Sequence, residues 1–222
     1  MPTRFSFSAS KEKMKRQFNL DIKKDLQQSF NIGATQNAYL LTNESLDLQI
    51  FTWGLIPHWA KDKSVGTNLI NAQVEGIASK LSFRLSIRQR RCLVFADSYY
   101  EWTKEGRATQ PYRVQLNNGD LMTFAGVWDI WVDANQELHK TFSIVTTPAN
   151  DTLKEFGFTR MPAMITTDSE RAQWLGEQSL PNALNLLKPL DDLLLDVYPI
   201  AKEVDLLENN YPELHKPIEL IS

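Results

Sequence analysis

Residues 91–102 read RCLVFADSYYEW, which combines the pattern of a buried strand with a charged residue among aromatic rings. Its first part, RCLVFADS, predicts a strand with Cys92 as a small buried residue. Glu101 follows at the predicted strand end, between Tyr100 and Trp102. A carboxylate among rings is partly desolvated, which raises its pKa and suits it to proton transfer. Glu101 is therefore the best catalytic candidate, although a water-facing glutamate at a strand end is an equally simple interpretation.

Four other stretches carry the same strand signature, rich in Val, Ile, Phe and Thr: residues 47–53, 111–116, 121–128 and 141–147. Turn signals follow several of the predicted strands: EG at 105–106, NNGD at 117–120 and DANQE at 133–137. Most of the connections are too short to hold a helix. We therefore predict mainly antiparallel pairing.

Helices are predicted in three places. Apolar residues recur at every fourth position near the amino end: Met14, Phe18, Ile22 and Leu26. This spacing predicts a helix within residues 11–30. Thr167 and Glu170 have the spacing of a capping box at the start of a second helix. Pro181 and Pro189 bracket a third, short helical segment.

Composition places the chain among ordinary soluble proteins. Its 222 residues are 42% hydrophobic and 23% charged, with no break in composition. We predict one α+β domain over residues 1–222, with a mainly antiparallel, barrel-like sheet and helices outside it. No apolar run approaches the ~18 residues of a membrane span, and the first twenty residues lack a signal-peptide core, so we expect a cytoplasmic protein that does not contact a membrane. We also expect a monomer.

Cofactor chemistry finds little support in the sequence. The single cysteine excludes an internal disulfide and a cysteine-rich zinc site. His58, His139 and His215 lack metal-ligand spacing, and His58 beside Trp59 is more often structural than catalytic. The chain has no glycine-rich phosphate loop. We expect no metal and no other cofactor.

Charge is unevenly distributed, although the net charge is only −3. Residues 1–24 and 80–91 are basic, whereas residues 190–222 are acidic. The net charge argues against nucleic acid as a partner, but the distribution leaves room for a basic groove. A solvated basic face is the alternative interpretation.

Polar groups beside apolar segments suggest further site residues. Pro2 carries a terminal secondary amine once the initiator methionine is removed, and is otherwise only an internal residue. Asn71 follows an apolar pair and could orient a polar ligand, although such a residue is more often found in a turn. Arg160 precedes a predicted strand that begins at Pro162.

Several ordered motifs together resemble the SRAP family of SOS response-associated peptidases, also described as abasic-site processing proteins. They are WGLIPHWAKD, NAQVE, SFR before RRCLVFADSYYEW, FAGVWD, TFSIVTTPAN and TRMP. The resemblance implies an SRAP-like fold. It also implies that an amino-terminal cysteine closes a thiazolidine with the ring-opened aldehyde of an abasic site in single-stranded DNA. The resemblance further assigns Asn71 to positioning the sugar and Glu101 to shuttling protons.

The resemblance also implies that basic and aromatic residues hold the DNA. Candidates for phosphate contacts are Arg4, Arg84 and Arg160. Candidates for base stacking are Trp53, Trp102 and Trp128, for each of which core packing is the alternative.

The chain departs from the family pattern at the residues that perform the chemistry. Pro2 replaces the cysteine and Thr3 the following glycine. Gln73 replaces the arginine of Asn-Ala-Arg, and Phe158 replaces a histidine that assists Schiff-base chemistry. Because Pro2 has no thiol, a thiazolidine cannot form.

Three functions remain open. The first is Schiff-base or lyase chemistry, in which the Pro2 amine attacks the aldehyde and Glu101 acts as the base. An α-amine is more available for attack than lysine because its ordinary pKa is near ~8 rather than ~10.4. The second is non-covalent binding of single-stranded DNA or DNA junctions by a degenerate member. A third, peptidase-like or interaction role has less support, because self-processing requires the missing cysteine.

Overall fold

The computed structural model describes residues 1–105 and 108–220, which form two sheets with short helices around them. The strands in these residues are β1 (Arg4–Phe7), β2 (Ser29–Gly33), β3 (Asn37–Thr42), β4 (Ser45–Trp53), β5 (Asn71–Gln73), β6 (Arg91–Ala96), β7 (Ser98–Glu105), β8 (Ala108–Leu116), β9 (Met122–Val132), β10 (Leu138–Pro148), β11 (Arg160–Pro162) and β12 (Leu195–Pro199). The α-helices are α1 (Lys11–Phe18), α2 (Ser86–Gln89), α3 (Asp151–Glu155), α4 (Asp168–Leu175) and α5 (Leu180–Asn185). Of the predicted EG turn, Gly106 lies outside the described residues.

Five strands of the larger sheet close into a ring in the order β10, β4, β3, β6, β9 and back to β10. The pairings are antiparallel except that β10 runs parallel to β4, and also to β5 beside it. The ring confirms the predicted α+β, barrel-like fold. The parallel pairs were not predicted; they join segments far apart in sequence, as a parallel crossover requires.

Strand β6 is buried on both faces, which explains why residues 92–96 are apolar at consecutive positions. Cys92 and Val94 belong to the larger buried cluster with Phe124, whereas Leu93 packs into a second cluster that includes Trp174 of α4. Both faces of the strand are therefore covered, so alternation with polar residues is absent. The predicted burial of Cys92 is confirmed.

The strand predicted at residues 91–98 is wrong at its end. Strand β6 ends at Ala96, and β7 begins at Ser98 after the single intervening residue Asp97. The buried Asp97 carboxylate accepts hydrogen bonds from the Ser6 hydroxyl and from the backbone N–H and hydroxyl of Ser8. Arg113 Nη2 lies 3.5 Å from it. These partners compensate the cost of burying the charge and hold the chain where it leaves the ring.

The second sheet has the order β12, β8, β7, β1, β2, and its pairings are antiparallel. The amino-terminal strand β1 lies between β2 and β7, with Phe5 opposite Tyr99 and Arg4 opposite Tyr100. Because side chains alternate along a strand, this register decides which side each residue faces. The side toward the ring carries Phe5, Tyr99 and Glu101; the opposite side carries Arg4, Tyr100 and Trp102.

Helix α1 is much shorter than predicted. It begins after Ser10, whose side chain accepts a hydrogen bond from the Lys13 N–H, and ends at Asn19 with φ of 54°. The helix predicted within residues 11–30 is present but ends at residue 18, because Asn19 adopts the left-handed conformation that ends helices. The capping box at the start of α4 is confirmed. Among the described residues, no helix is long and apolar enough to cross a membrane.

One buried arginine, Arg91, links two helix ends to the ring. Its Nε donates to Trp174 O and its Nη2 to Gly176 O, each at 2.6 Å, at the end of α4. Its Nη1 donates to Ile87 O and Arg88 O, each at 3.1 Å, in α2. Helix ends leave such carbonyls without partners, so a single guanidinium satisfies both ends.

The carboxyl-terminal segment, residues 200–217, covers the outer side of the second sheet. Ile200, Val204 and Leu214 are fully buried there against Tyr100. The ring of His215 packs edge-on against Phe30 at 5.0 Å. Burial, together with the charge of Arg113, lowers the pKa of His215 to about 4, although the charge of Asp97 opposes this shift.

Candidate active site

The three predicted catalytic residues lie together at the amino end of the chain. The Met1 ammonium nitrogen is 3.2 Å from Glu101 Oε1 and 3.3 Å from Oε2. Asn71 Nδ2 donates a hydrogen bond to the backbone oxygen of the buried Pro2 at 2.7 Å. The pairing of β1 with β7 brings the amino end to Glu101, and Asn71 reaches it from β5.

Glu101 lies within β7 and not at a strand end as predicted. It is only 6% exposed, and burial raises its pKa, while the charge and hydrogen bond of the amino terminus partly offset this effect. A carboxyl group of this kind can hold a proton at higher pH than an ordinary glutamate. It is therefore suited to exchange protons with a group bound at the amine.

Arg160 borders this site but is already paired. Its Nη1 and Nη2 lie 2.6 and 3.0 Å from the two carboxylate oxygens of Glu75, and Nη2 donates to Thr146 O at 2.6 Å. The hydrogen bond from Arg160 is the main cause that lowers the pKa of Glu75. Thr146 is in register with Gln73, whose amide lies 3.7 Å from Met1 Sδ. A phosphate at Arg160 would therefore compete with Glu75.

Arg4 and Trp102, both predicted to contact DNA, lie on the other side of the second sheet. The Arg4 guanidinium donates to Asn31 Oδ1, Val204 O and Asp205 O at 3.0–3.2 Å. The indole N–H of Trp102 donates to Asp205 Oδ1 at 2.7 Å. Both side chains thus hold the carboxyl-terminal segment, and β-strand alternation separates them from Glu101.

Two of the predicted stacking residues belong to the core. Trp53 is 0% exposed, its N–H donates to Ile70 O at 2.8 Å, and its ring meets Phe5 edge-on at 5.0 Å. Trp128 is also buried, with its N–H 3.1 Å from Asn43 Oδ1. The stacking prediction for both is corrected, because closed packing leaves no ring face for a base.

A different tryptophan, Trp59, is 47% exposed and was not predicted as a site residue. It lines an open cleft of about 530 Å³ with His58, Ser79 and Arg88, into which the predicted Arg84 also projects. We call these residues the Trp59 cleft. The exposed ring beside Arg84 offers a base-stacking face and a phosphate contact together. Arg88 Nη1 already donates to Ala78 O at 3.2 Å and to Arg84 O, so this guanidinium is partly engaged within the wall of the cleft. The basic run 80–91 was the sequence signal for one wall of the cleft.

The orientation of His58 in this cleft is set by its contacts with Asp129. Its Nδ1 and its backbone N–H lie 3.0 and 2.9 Å from the same oxygen of the buried Asp129. Arg90 pairs with the other oxygen of that carboxylate. The imidazole is thereby fixed with Nε2 directed away from Asp129.

Two further features bear on the predicted chemistry. Phe158, which replaces the family's histidine, is buried and packs against Tyr112 and Phe156 with ring centroids about 6 Å apart.

Within the described residues, side-chain oxygen and nitrogen atoms that could bind a metal come close together on the exposed β9–β10 hairpin. Those of Asp133, Glu137 and His139 lie within 4.8 Å of one another. These three residues could contact a metal ion, but they are not part of the amino-terminal site.

Comparisons with known proteins agree with this architecture. A family model described as SOS response associated peptidase (SRAP) matches residues 1–206. The abasic site processing protein YoqW of Bacillus subtilis (strain 168) is 32% identical over 219 residues, covering 95% of this chain and 97% of that protein. The abasic site processing protein HMCES of Rattus norvegicus is 31% identical, covering 80% of this chain and 59% of that protein. A crystal structure of a protein from Bacteroides thetaiotaomicron matches with a TM-score of 0.86 at 29% identity, covering 98% and 100% of the two chains.

Proposed function

The chain belongs to the SRAP family, and we propose that it processes abasic sites in single-stranded DNA through its terminal α-amine. The observation that carries this proposal is the contact between the terminal amine and the buried Glu101, at 3.2 Å. Curated relatives that cover most of the chain are named abasic site processing proteins. An abasic site in its ring-opened form presents an aldehyde, and amines condense with aldehydes.

The proposed reaction begins once Met1 is removed and the secondary amine of Pro2 occupies the position beside Glu101. The Glu101 carboxylate first takes one proton from the terminal ammonium. The free Pro2 nitrogen then attacks the aldehyde carbon, and its remaining proton passes to the former carbonyl oxygen. The neutral Glu101 carboxyl then donates a proton to that oxygen, which leaves as water. The products are an iminium cation and the Glu101 carboxylate, so atoms and charges balance.

The iminium explains how strand cleavage could follow. It acidifies the neighbouring C–H, from which the Glu101 carboxylate removes a proton, and the 3′-phosphate leaves by β-elimination. A stable thiazolidine is excluded on chemical grounds because Pro2 has no thiol. Cys92 does not supply one, since it is buried in the ring and burial raises the pKa of its thiol. The adduct is therefore transient.

The Trp59 cleft is the proposed contact for the DNA strand. Arg84 is exposed there, and Arg88 and Trp59 line the same cleft. Stacking on an aromatic ring contributes about 1–3 kcal/mol per base, and arginine–phosphate contacts add salt-dependent affinity. This arrangement favours a single strand, because its bases are free to stack.

Intact mass spectrometry tests the proposal. The purified protein is incubated with an abasic single-stranded oligonucleotide, with and without sodium borohydride, and an oligonucleotide without the abasic site is the control. We expect an adduct only with borohydride and only on the abasic strand. Peptide mapping should place the adduct on the terminal residue of the chain, and the mass shows whether Met1 is absent.

Other results would contradict the proposal in distinguishable ways. An adduct mapped to a lysine side chain would exclude the terminal amine as the nucleophile. DNA binding without any adduct would favour the alternative function, a degenerate SRAP member that binds single-stranded DNA or junctions non-covalently. The absence of both binding and adduct would reject DNA as the ligand. Pro2→Ala still presents an α-amine, so an equal rate of trapping in that variant would remove any special role for proline.

A further inference from the structure

A buried tyrosine beside the amino-terminal site has a hydroxyl group that the fold does not use. Tyr99 is 0% exposed, and its hydroxyl oxygen has no hydrogen-bond partner among the described residues. A buried tyrosine hydroxyl usually finds a partner, because an unsatisfied one loses its hydrogen bonds to water. Phenylalanine would fill the same volume without this penalty. The hydroxyl therefore calls for a role other than packing.

The position of Tyr99 is set by its strand. It lies two residues before Glu101 on β7, so both side chains leave the strand on the side toward the ring. Phe5 is directly opposite Tyr99 on β1, and the ring of Phe124 meets the Tyr99 ring edge-on at 6.1 Å. These contacts fix the phenol ring on the side of the sheet that also carries Glu101.

Complementary acceptor atoms are present at the same site. Glu101 Oε1 and Asn71 Oδ1 are also buried without a hydrogen-bond partner among the described residues, although the Met1 ammonium is near Oε1. Burial, with a contribution from the charge of Glu101, raises the pKa of Tyr99 well above its ordinary value. The phenol therefore keeps its proton and can only donate to a carboxylate.

We propose that Tyr99 is a positioning residue for Glu101, whose carboxylate accepts a hydrogen bond from the Tyr99 hydroxyl, directly or through one water, when the terminal amine no longer pairs with it. This inference rests on the proposed function, in which the amine becomes part of the iminium. Glu101 is then left as an anion that must be held for proton removal. Two other polar residues face Glu101. They are Asn71 and Tyr112, and Tyr112 is in register with Glu101 on β8.

The first measurement does not depend on DNA. The α-amine is blocked by acetylation, and the Glu101 carboxyl is titrated by ¹³C NMR in the wild type, Tyr99→Phe and Tyr100→Phe. We expect Tyr99→Phe to raise the Glu101 pKa by about 1–2 units, the equivalent of one hydrogen bond to the charged form. Tyr100→Phe is the matched control, because its hydroxyl donates to Phe30 O at 2.6 Å on the opposite side of the sheet.

Stability and kinetics separate a positioning role from a structural one. Tyr100→Phe should lower the urea midpoint and leave the Glu101 titration unchanged, whereas Tyr99→Phe should keep or raise the midpoint. In unblocked protein without borohydride, Tyr99→Phe should slow strand cleavage by β-elimination about three- to tenfold at neutral pH. Identical Glu101 titrations in the wild type and Tyr99→Phe would overturn the inference. If the wild type does not trap abasic DNA, the proposed function fails, and the titration still decides the role of Tyr99.

Discussion

Replacing Glu101 by glutamine removes the carboxyl group that faces the terminal amine and keeps its shape. Two opposite unit charges 3.2 Å apart attract each other by about 5 kcal/mol at an effective dielectric constant of ~20. Half-exposure of the amine reduces this energy, and desolvation of the buried carboxylate opposes it. We therefore expect Glu101→Gln to change the free energy of unfolding at pH 7 by no more than about 1 kcal/mol.

The effect on chemistry should be far larger than the effect on stability. A positioned acid or base contributes about 10²–10⁴-fold to a rate, and glutamine can neither donate nor accept the transferred proton. The rate of borohydride trapping on abasic single-stranded DNA should fall by this factor, while DNA affinity measured without borohydride stays the same. The exposed Glu137→Gln on the β9–β10 hairpin is the matched control and should trap at the wild-type rate.

The pH dependence of stability provides an independent check on Glu101. Its pKa is raised in the folded protein, so the unfolded chain loses this proton first as the pH rises. Wild-type stability should therefore fall as the pH rises from the ordinary glutamate value of about 4.3 through the raised folded value. Glu101→Gln should lack this decline.

The kinetic experiment has a clear refuting result. If Glu101→Gln traps abasic DNA within threefold of the wild-type rate, with the adduct still on the terminal residue, the proton-transfer role of Glu101 is refuted.

Arg84→Ala should weaken binding to single-stranded DNA and make the slope of log K against log salt shallower by about 0.7, as one lost phosphate contact requires; an unchanged slope in filter-binding titrations would place the strand elsewhere. Arg91→Met should lower the free energy of unfolding in urea by about 3–5 kcal/mol, because charge-assisted bonds to the ends of two helices are lost together, and a loss below 1 kcal/mol would contradict that role. The wild type should lose up to about 3 kcal/mol of stability between pH 6.5 and 4, since the unfolded chain protonates at His215 before the folded protein does. His215→Phe should flatten that acid limb in urea titrations at successive pH values, and an equally steep limb would assign the acid sensitivity to other groups.

Local patterns in the sequence predicted much of the ring and several helix boundaries. Four of the strand stretches have their counterparts in β4, β8, β9 and β10, and the Thr167 capping box depends only on neighbouring residues. The error at residues 19–30 has a physical cause. Ile22 and Leu26 pack against the core at helix-like spacing, but the chain that carries them is not helical, because Asn19 ends α1.

The site was harder to predict because its geometry depends on pairings distant in sequence. Glu101 and Asn71 were identified from residue type and motif, but their meeting at the amino end depends on the placement of β1 and β5. The side faced by Arg4 and Trp102 depends on the register of β1 with β7. Tryptophan residues posed a similar problem, since composition does not distinguish the buried Trp53 from the exposed Trp59.

The hydrogen bonds from Arg4 to the backbone oxygens of Val204 and Asp205 connect the amino-terminal strand to the carboxyl-terminal segment. Arg4 is two residues from Pro2, so any loosening at residues 204–205 would reach the proposed nucleophile over a span of two peptide units. A fusion before Met1 and a truncation that removes residues 204–205 would therefore both act on the amino-terminal site. An amino-terminal extension would remove the terminal amine on which the proposed function depends, whereas loss of residues 204–205 would leave the amine present without this anchor.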